Sequence, residues 1–244
     1  MQARGKDLIF ISFMSNQIDH TKILVVIPSF NEHTIIKEVI GDLLRFPYKI
    51  IVVDDGSEKA LSDQLKGLPV HILRHEVNLG QGAALQTGIE YALSLNAEYI
   101  VTFDGDSQHQ AADIDKLLEP LFNDEADICI GSRFLNGSNN SIPAGRKFVL
   151  KTARWVNYLL TGLLLTDAHN GLRAMNRKAA SQIHITQNRM AHATELLTEV
   201  RRNKLRYKEI PVTIHYTAYS KKKGQTAWSS FRIFFDLLLN KIFR

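Results

Sequence analysis

At 244 residues, 45% hydrophobic and 23% charged, the chain has the make-up of a globular protein with a sizeable core, and its length suits one large α/β unit. A lone cysteine, Cys129, excludes an internal disulfide framework and fits a reducing compartment; it stands in the apolar run 128–130 as core rather than nucleophile. The net charge of +5 is uneven, because residues 201–244 hold eleven Lys and Arg against Glu209 and Asp236, which leaves residues 1–200 at −4.

Residues 1–20 read as an N-terminal extension. The apolar stretch 8–14 after Arg4 and Lys6 faintly resembles a secretory leader, but no small-residue cleavage site follows it. Residues 22–28 (Lys-Ile-Leu-Val-Val-Ile-Pro) form a continuous apolar strand, the pattern of a parallel sheet covered on both faces. Asn31 is placed to cap the next helix, whose Ile35, Ile36, Val39, Ile40, Leu43 and Leu44 recur at helical spacing. A second strand, 49–53, ends in Asp54-Asp55-Gly56-Ser57. A third, 70–73, leads into Asn78-Leu79-Gly80-Gln81-Gly82 and a helix to about Leu95. The glycines there lack the spacing of a dinucleotide fingerprint, and no P-loop occurs.

The stretch 99–109 (Tyr-Ile-Val-Thr-Phe-Asp-Gly-Asp-Ser-Gln-His) organises the rest. A buried strand ends in two carboxylates, Asp104 and Asp106, spaced to face one hard cation, and Gly105 between them lets the backbone approach whatever the cation carries. Alone, such a triplet is an ordinary acidic turn. Alternating strands and helices, however, imply right-handed crossovers and an open doubly wound sheet, in which ligands bind outside the carboxyl ends of the strands. There 28–32, Asp54-Asp55 and 104–108 would converge.

A further strand, 127–131, ends in Ser132-Arg133, and an arginine at a strand end suits a bidentate phosphate clamp. Loop 136–141 is rich in Gly, Ser and Asn. A helix is expected over about 146–165, then Asp167 to Arg173, a later helix bearing Glu195 and Glu199, a strand over 207–215 and a basic loop at 219–225. Residues 226–244 read as a helix apolar over most of its circumference, which needs a partner, its own domain or a lipid interface to cover it. The basic tail suits phosphates or an anionic membrane face, whereas no zinc-finger spacing or RNP-like motif supports nucleic acid.

Six words, 26–32 (Val-Ile-Pro-Ser-Phe-Asn-Glu), 52–57 (Val-Val-Asp-Asp-Gly-Ser), 78–85 (Asn-Leu-Gly-Gln-Gly-Ala-Ala-Leu), 104–109, 131–133 (Gly-Ser-Arg) and 167–174 (Asp-Ala-His-Asn-Gly-Leu-Arg-Ala), stand in one order along the chain. In this the chain resembles the family 2 glycosyltransferases of GT-A fold, and within them the dolichyl-phosphate and undecaprenyl-phosphate sugar transferases. The resemblance implies a GT-A domain over 21–225 with a mostly parallel, doubly wound sheet, followed by the 226–244 helix. It implies that Pro28, Phe30, Glu32, Asp54 and Asp55 line the base and ribose of a UDP- or GDP-sugar. Asp104, Asp106 and Gln108 would hold Mg2+ or Mn2+ on the diphosphate beside Gly105, with Arg133 meeting the phosphates or the donor sugar and Lys223 reaching the diphosphate. Two departures from the family's usual words are Gly105, where another small residue is common, and Gln110, where proline is frequent.

The same resemblance implies inverting transfer, with a metal as Lewis acid and Asp106 and Arg133 in the reacting centre. A lipid-phosphate acceptor is already anionic and needs no base. A hydroxyl acceptor does, and Asp167 and Glu195 are the candidates. The leading expectation is sugar transfer to a polyprenyl phosphate at the cytoplasmic face of a membrane, with peripheral contact through the 226–244 helix or through a membrane or oligomer partner. The alternatives are a transferase extending a polysaccharide or glycolipid and a catalytically silent nucleotide-binding scaffold.

Overall fold

The computed structural model describes residues 19–135, 158–159, 161–187 and 191–215. The N-terminal extension, the 136–141 loop, most of the helix expected over 146–165, Lys223 with its basic loop and the 226–244 helix lie outside the described residues.

Strand β1 (Ile23–Ser29) is buried at all seven positions, so it takes the middle of the sheet, where both faces are covered. Strands β2 (Lys49–Asp54) and β4 (Tyr99–Thr102) flank it in parallel, and β3 (Val70–Arg74) lies outside β2. On the other side, β5 (Ile128–Ser132) runs parallel to β7 (Tyr207–Pro211), and β6 (Arg173–Asn176) is wedged antiparallel between β4 and β5. The order is β3-β2-β1-β4-β6-β5-β7. Among the described strands only β6 runs against the rest. Its beginning, rather than its end, therefore lies at the rim where its neighbours finish.

Strand alternation divides the core into two layers. Ile23, Val25 and Ile27 meet helix α1 (Ile36–Leu43) through Ile36, Val39 and Ile40, in the layer that also buries Ile114 and Leu117 of helix α4 (Asp113–Phe122). Helix α2 (Leu61–Leu65) seats Leu61 and Leu65 in the same layer. On the opposite face, Leu24, Val26, Ile51 and Val53 pack with Leu85 and Ile89 of helix α3 (Gln81–Ser94), and with Leu196 and Val200 of the helix spanning Ala191–Arg202. Between β6 and that helix, here α6, lies the short helix α5 (Arg177–Gln182), capped by the Asn176 side chain.

Three local expectations are corrected. Asn31 does not cap α1: it adopts φ of 57° and accepts from the Glu58 N–H, while α1 begins five residues later without a side-chain cap. The strand expected over 207–215 stops at Pro211, leaving a single bridge between His109 and Ile214. The helix expected to reach Leu165 ends earlier, since Thr161 is helical and residues 163–165 are not.

Far from the rim, Asp127 secures the β5–β7 corner. It is 1% exposed and accepts from Arg206 N (2.9 Å), Arg206 Nη2 (3.1 Å) and Asn176 Nδ2 (3.2 Å). Burial alone would raise its carboxyl, but the hydrogen bonds from Arg206 and Asn176, with the Lys178 charge, outweigh that and hold it well below the ordinary carboxylate range. A depressed folded-state pKa stabilises the fold above the unfolded value of about 3.9, and this contribution fades as pH falls through and below that value. Asp127→Ala should cost about 2 kcal/mol, a fall of ~4–8 °C in Tm at neutral pH, and the gap from wild type should narrow near pH 3 in thermal melts.

Candidate functional site

The carboxyl ends of β1, β2, β4 and β5 and the start of β6 meet along one rim. After β4 the chain turns through Phe103 to His109, with Ser107 at φ of 59°. The segment after β7 pins this turn from above, because His215 N donates to Gln108 O (2.8 Å). Asp104 accepts on both oxygens, from Gln81 Nε2 (3.0 Å) at the start of α3 and from His109 Nε2 (3.2 Å). Asp106 accepts from the backbone N–H (3.1 Å) and the side-chain amide of Gln108.

The two acids are driven apart electrostatically. Burial would raise Asp104, but the hydrogen bond and charge of His109, with Arg173 and His192, bring it below the usual range. Asp106 goes the other way, pushed up by burial and by the charge of Asp104. Among the described residues no three His, Cys, Asp or Glu side chains form a ready metal cage. Two carboxylates of which one is penalised by the other do suit a cation that completes its shell with substrate phosphates, as Mg2+ does. Gly105 sits under them, where an added Cβ would make ordinary contact with Pro28 O at 3.4 Å.

On the β5 side, Arg133 clamps Asp167 through Nε–H (2.6 Å), Nη2–H (2.7 Å) and its own backbone N–H (3.0 Å). Asp167 is 3% exposed. Burial would raise it, yet Arg133 keeps it below the carboxylate range. Glu209 fixes the turn by accepting from Thr166 N (2.7 Å) and Asp167 N (3.1 Å). Between Asp104 and Asp167 lies Arg173, 1% exposed, whose guanidinium burial depresses to about 10 while both acids oppose the fall. His169 beside them is pushed down to about 4 by burial and so is neutral at physiological pH.

At the β1–β2 side, Phe30 is 42% exposed on the rim, whereas Pro28 and Glu32 are buried. Asp54 accepts from Ser57 N (3.0 Å), Leu61 N (3.1 Å) and Arg74 Nη1 (2.6 Å). Asp55 accepts from His75 Nδ1 (2.7 Å), Leu79 N (2.9 Å), Gly80 N (2.8 Å) and Asn78 Nδ2 (3.0 Å). The Asp54 carboxylate thus fixes the turn after β2 and the start of α2, and the Asp55 carboxylate sets the loop that presents Gln81. Gly82 lets that loop close on its neighbour, since a Cβ there would lie 2.1 Å from Gln187 O and 2.9 Å from His192 Cβ. Glu195 ties the same neighbour down by accepting from Thr186 N (2.9 Å) and Gln187 N (2.8 Å).

Four residues outside the expected set join the site: Gln81, His109, Arg173 and Gly171, which packs so closely on Asp104 that a Cβ there would lie 2.0 Å from Oδ2. Each falls inside one of the six words, which is the signal that finds them. His192 falls outside every word and has no such signal.

A family model described as Glycosyl transferase family 2 matches residues 24–184. The chain belongs to that family. It is a glycosyltransferase related to the polyprenyl-phosphate sugar transferases. It is 33% identical over 241 residues, covering 90% of this chain and 96% of the other, to the UDP-N-acetylglucosamine–dolichyl-phosphate N-acetylglucosaminyltransferase of Methanococcus voltae. An uncharacterized protein of Methanocaldococcus jannaschii is 35% identical over 232 residues, 93% of this chain and 96% of its own. In fold the glycosyltransferase is similar to the glucosyl-3-phosphoglycerate synthase of Mycobacterium tuberculosis, solved with Mn2+, UDP and glucosyl-3-phosphoglycerate. There the TM-score is 0.66 at 18% identity, over 88% of this chain and 78% of that one.

Proposed function

We propose that this glycosyltransferase moves a sugar, with inversion, from a UDP- or GDP-sugar to a polyprenyl phosphate at the cytoplasmic face of a membrane. The observation that carries the acceptor half is the state of the two carboxylates expected as bases. Asp167 is 3% exposed between Arg133, which donates to both its oxygens, and Arg173, which stays beside it when Arg133 turns away, and Glu195 is held by Thr186 and Gln187. A hydroxyl acceptor needs a carboxylate or imidazole to take its proton, and neither of these is disposed to do so. A phosphate monoester attacks as the anion it already is.

In this reading an acceptor phosphate oxygen bonds to the anomeric carbon on the face opposite the nucleotide. The bond to the β-phosphate oxygen breaks, and its electron pair leaves with the nucleoside diphosphate. Asp104, Asp106 and Gln108 would hold Mg2+ or Mn2+, which supplies Lewis-acid neutralisation of the leaving diphosphate. Arg133 turns to the phosphates with a two-pronged guanidinium, and Lys223 adds charge from the basic loop. Phe30 offers its exposed face to the base, above the wall shaped by Pro28, Glu32, Asp54 and Asp55. No helix among the described residues is long and apolar enough to cross a membrane. In this reading peripheral contact would fall to the apolar stretch 226–244.

The test is transfer by purified protein from UDP- and GDP-sugars to a short-chain polyprenyl phosphate and, separately, to hydroxyl acceptors, with Mg2+, with Mn2+ and with EDTA. Product is expected on the phosphate only, and EDTA should abolish it. Glycosylation confined to a hydroxyl would overturn the acceptor assignment, and undiminished turnover in EDTA would overturn the metal.

A further inference from the structure

Arg173 is a charge buried with little to hold it. Its side chain ranks among the largest fully buried ones; among the described residues its Nε has no hydrogen-bond partner and its side chain makes one hydrogen bond, a long 3.5 Å contact from Nη2 to Ala168 O. A buried guanidinium with so few hydrogen bonds is costly, and each such group in a folded protein calls for a reason. What holds it is the field of two carboxylates, Asp104 and Asp167, both of which favour its charged form. The strand register explains why it meets both. Arg173 pairs with Thr102 of β4 and with Ile130 of β5, so it stands where the segments leading to Asp104 and to Arg133 diverge.

Charges across the rim therefore alternate: Asp104, Arg173, Asp167, Arg133. Arg133 is bound on both prongs by Asp167, and for it to turn toward a diphosphate it must leave a carboxylate that is 3% exposed. Abandoning a buried charge is strongly unfavourable unless another partner remains. Asn170 Nδ2 at 3.4 Å is a weak substitute, and Arg173, whose Nη2 lies 3.5 Å from the carbonyl oxygen of Ala168, next in the chain to Asp167, is a second cation whose charge Asp167 favours.

We propose that Arg173 is a positioning residue that keeps Asp167 charge-compensated while Arg133 exchanges Asp167 for the donor diphosphate. This rests on the diphosphate-binding reading above. It adds that the Arg133–Asp167 pair is a resting state whose release depends on a residue that touches neither substrate nor cation. Arg173 also faces Asp104, but that effect is common to any Asp167 background and cancels when two backgrounds are compared.

The experiment is a double-mutant cycle on the full chain, with the affinity for inorganic pyrophosphate in saturating Mg2+ measured by calorimetry, so that no nucleobase need be chosen. Arg173→Met is expected to weaken pyrophosphate binding about tenfold. Asp167→Asn is expected to tighten it, because Arg133 no longer leaves a buried anion. In the Asp167→Asn background, Arg173→Met should change the affinity by less than about threefold. A merely structural defect would instead lower affinity equally in both backgrounds, and that result overturns the proposal. Mn2+ affinity without pyrophosphate, read by electron paramagnetic resonance, reports the Asp104 share and is expected to shift alike in both backgrounds. A Mn2+ shift that depends on the background also overturns the proposal. If Arg173→Met does not fold, Arg173→Lys replaces it: the retained charge should hold affinity within about threefold of wild type, and a tenfold loss overturns the proposal. Failure of the wild-type protein to bind magnesium pyrophosphate at all overturns the diphosphate reading and this inference together. Binding with purely additive effects overturns this inference alone.

Discussion

Replacing Gly171 by alanine is expected to lower kcat/KM by at least about a hundredfold while leaving the fold intact. A Cβ at Gly171 would stand 2.0 Å from Asp104 Oδ2 and 2.5 Å from its Cγ, far inside contact distance. The Gly171 backbone is not in the left-handed region, so alanine adopts it without conformational strain and the whole effect falls on the Asp104 carboxylate. That carboxylate has nowhere easy to go, because Gln81 and His109 hold its two oxygens. A displacement on the order of 1 Å at a positioned group costs about 10²-fold in rate. Steady-state kinetics beside a thermal melt would check it: a near-native Tm with collapsed turnover is expected, and wild-type turnover would remove Asp104 from the site.

Asp106→Asn is expected to move stability and activity in opposite directions. In the metal-free protein the Asp106 carboxylate is disfavoured by burial and by its neighbour Asp104, so its charge costs stability at neutral pH. The isosteric amide relieves that repulsion, and the metal-free protein should melt ~2–4 °C higher, on the order of 1 kcal/mol. The same change removes an anionic ligand for the cation. Turnover should fall by about 10³-fold, and the rise in Tm on adding Mn2+ should disappear. Calorimetric melts with and without Mn2+, set against the transfer assay, test both signs. A lowered metal-free Tm would show Asp106 to be structural.

Much of this was legible in the chain because burial writes itself into composition. The apolar runs 23–28 of β1 and 50–53 of β2, the helical spacing of α1 and the acid pair after β4 each have one physical cause that leaves a direct trace in residue type. The strand β6 has no such trace: Arg173, Ala174, Met175 and Asn176 form neither an apolar run nor an alternation, and pairing with β4 and β5 makes them a strand. Asn31 looked like a cap because its type favours caps, but a positive φ let it bridge to Glu58 instead. Residue type marked Asp167 and Glu195 as bases equally well, since availability depends on partners thirty-four residues away for Asp167 and eight or nine for Glu195. The exposed Gln81 amide reaching Asp104 is likewise a fact of three dimensions.

The reversed strand has an evolutionary corollary. Since Ile130 and Arg173 are registered side by side, the chain leaves the rim at Arg133 and returns to almost the same spot before β6 begins. A change of length in the chain between Arg133 and Asp167 need not shift a rung of that ladder, whereas Asp167 and Gly171 are tied to the rim by Arg133 and Asp104. Tolerance to insertion is therefore confined to the part of the excursion that precedes Asp167, while its last residues share their fate with the acid pair after β4.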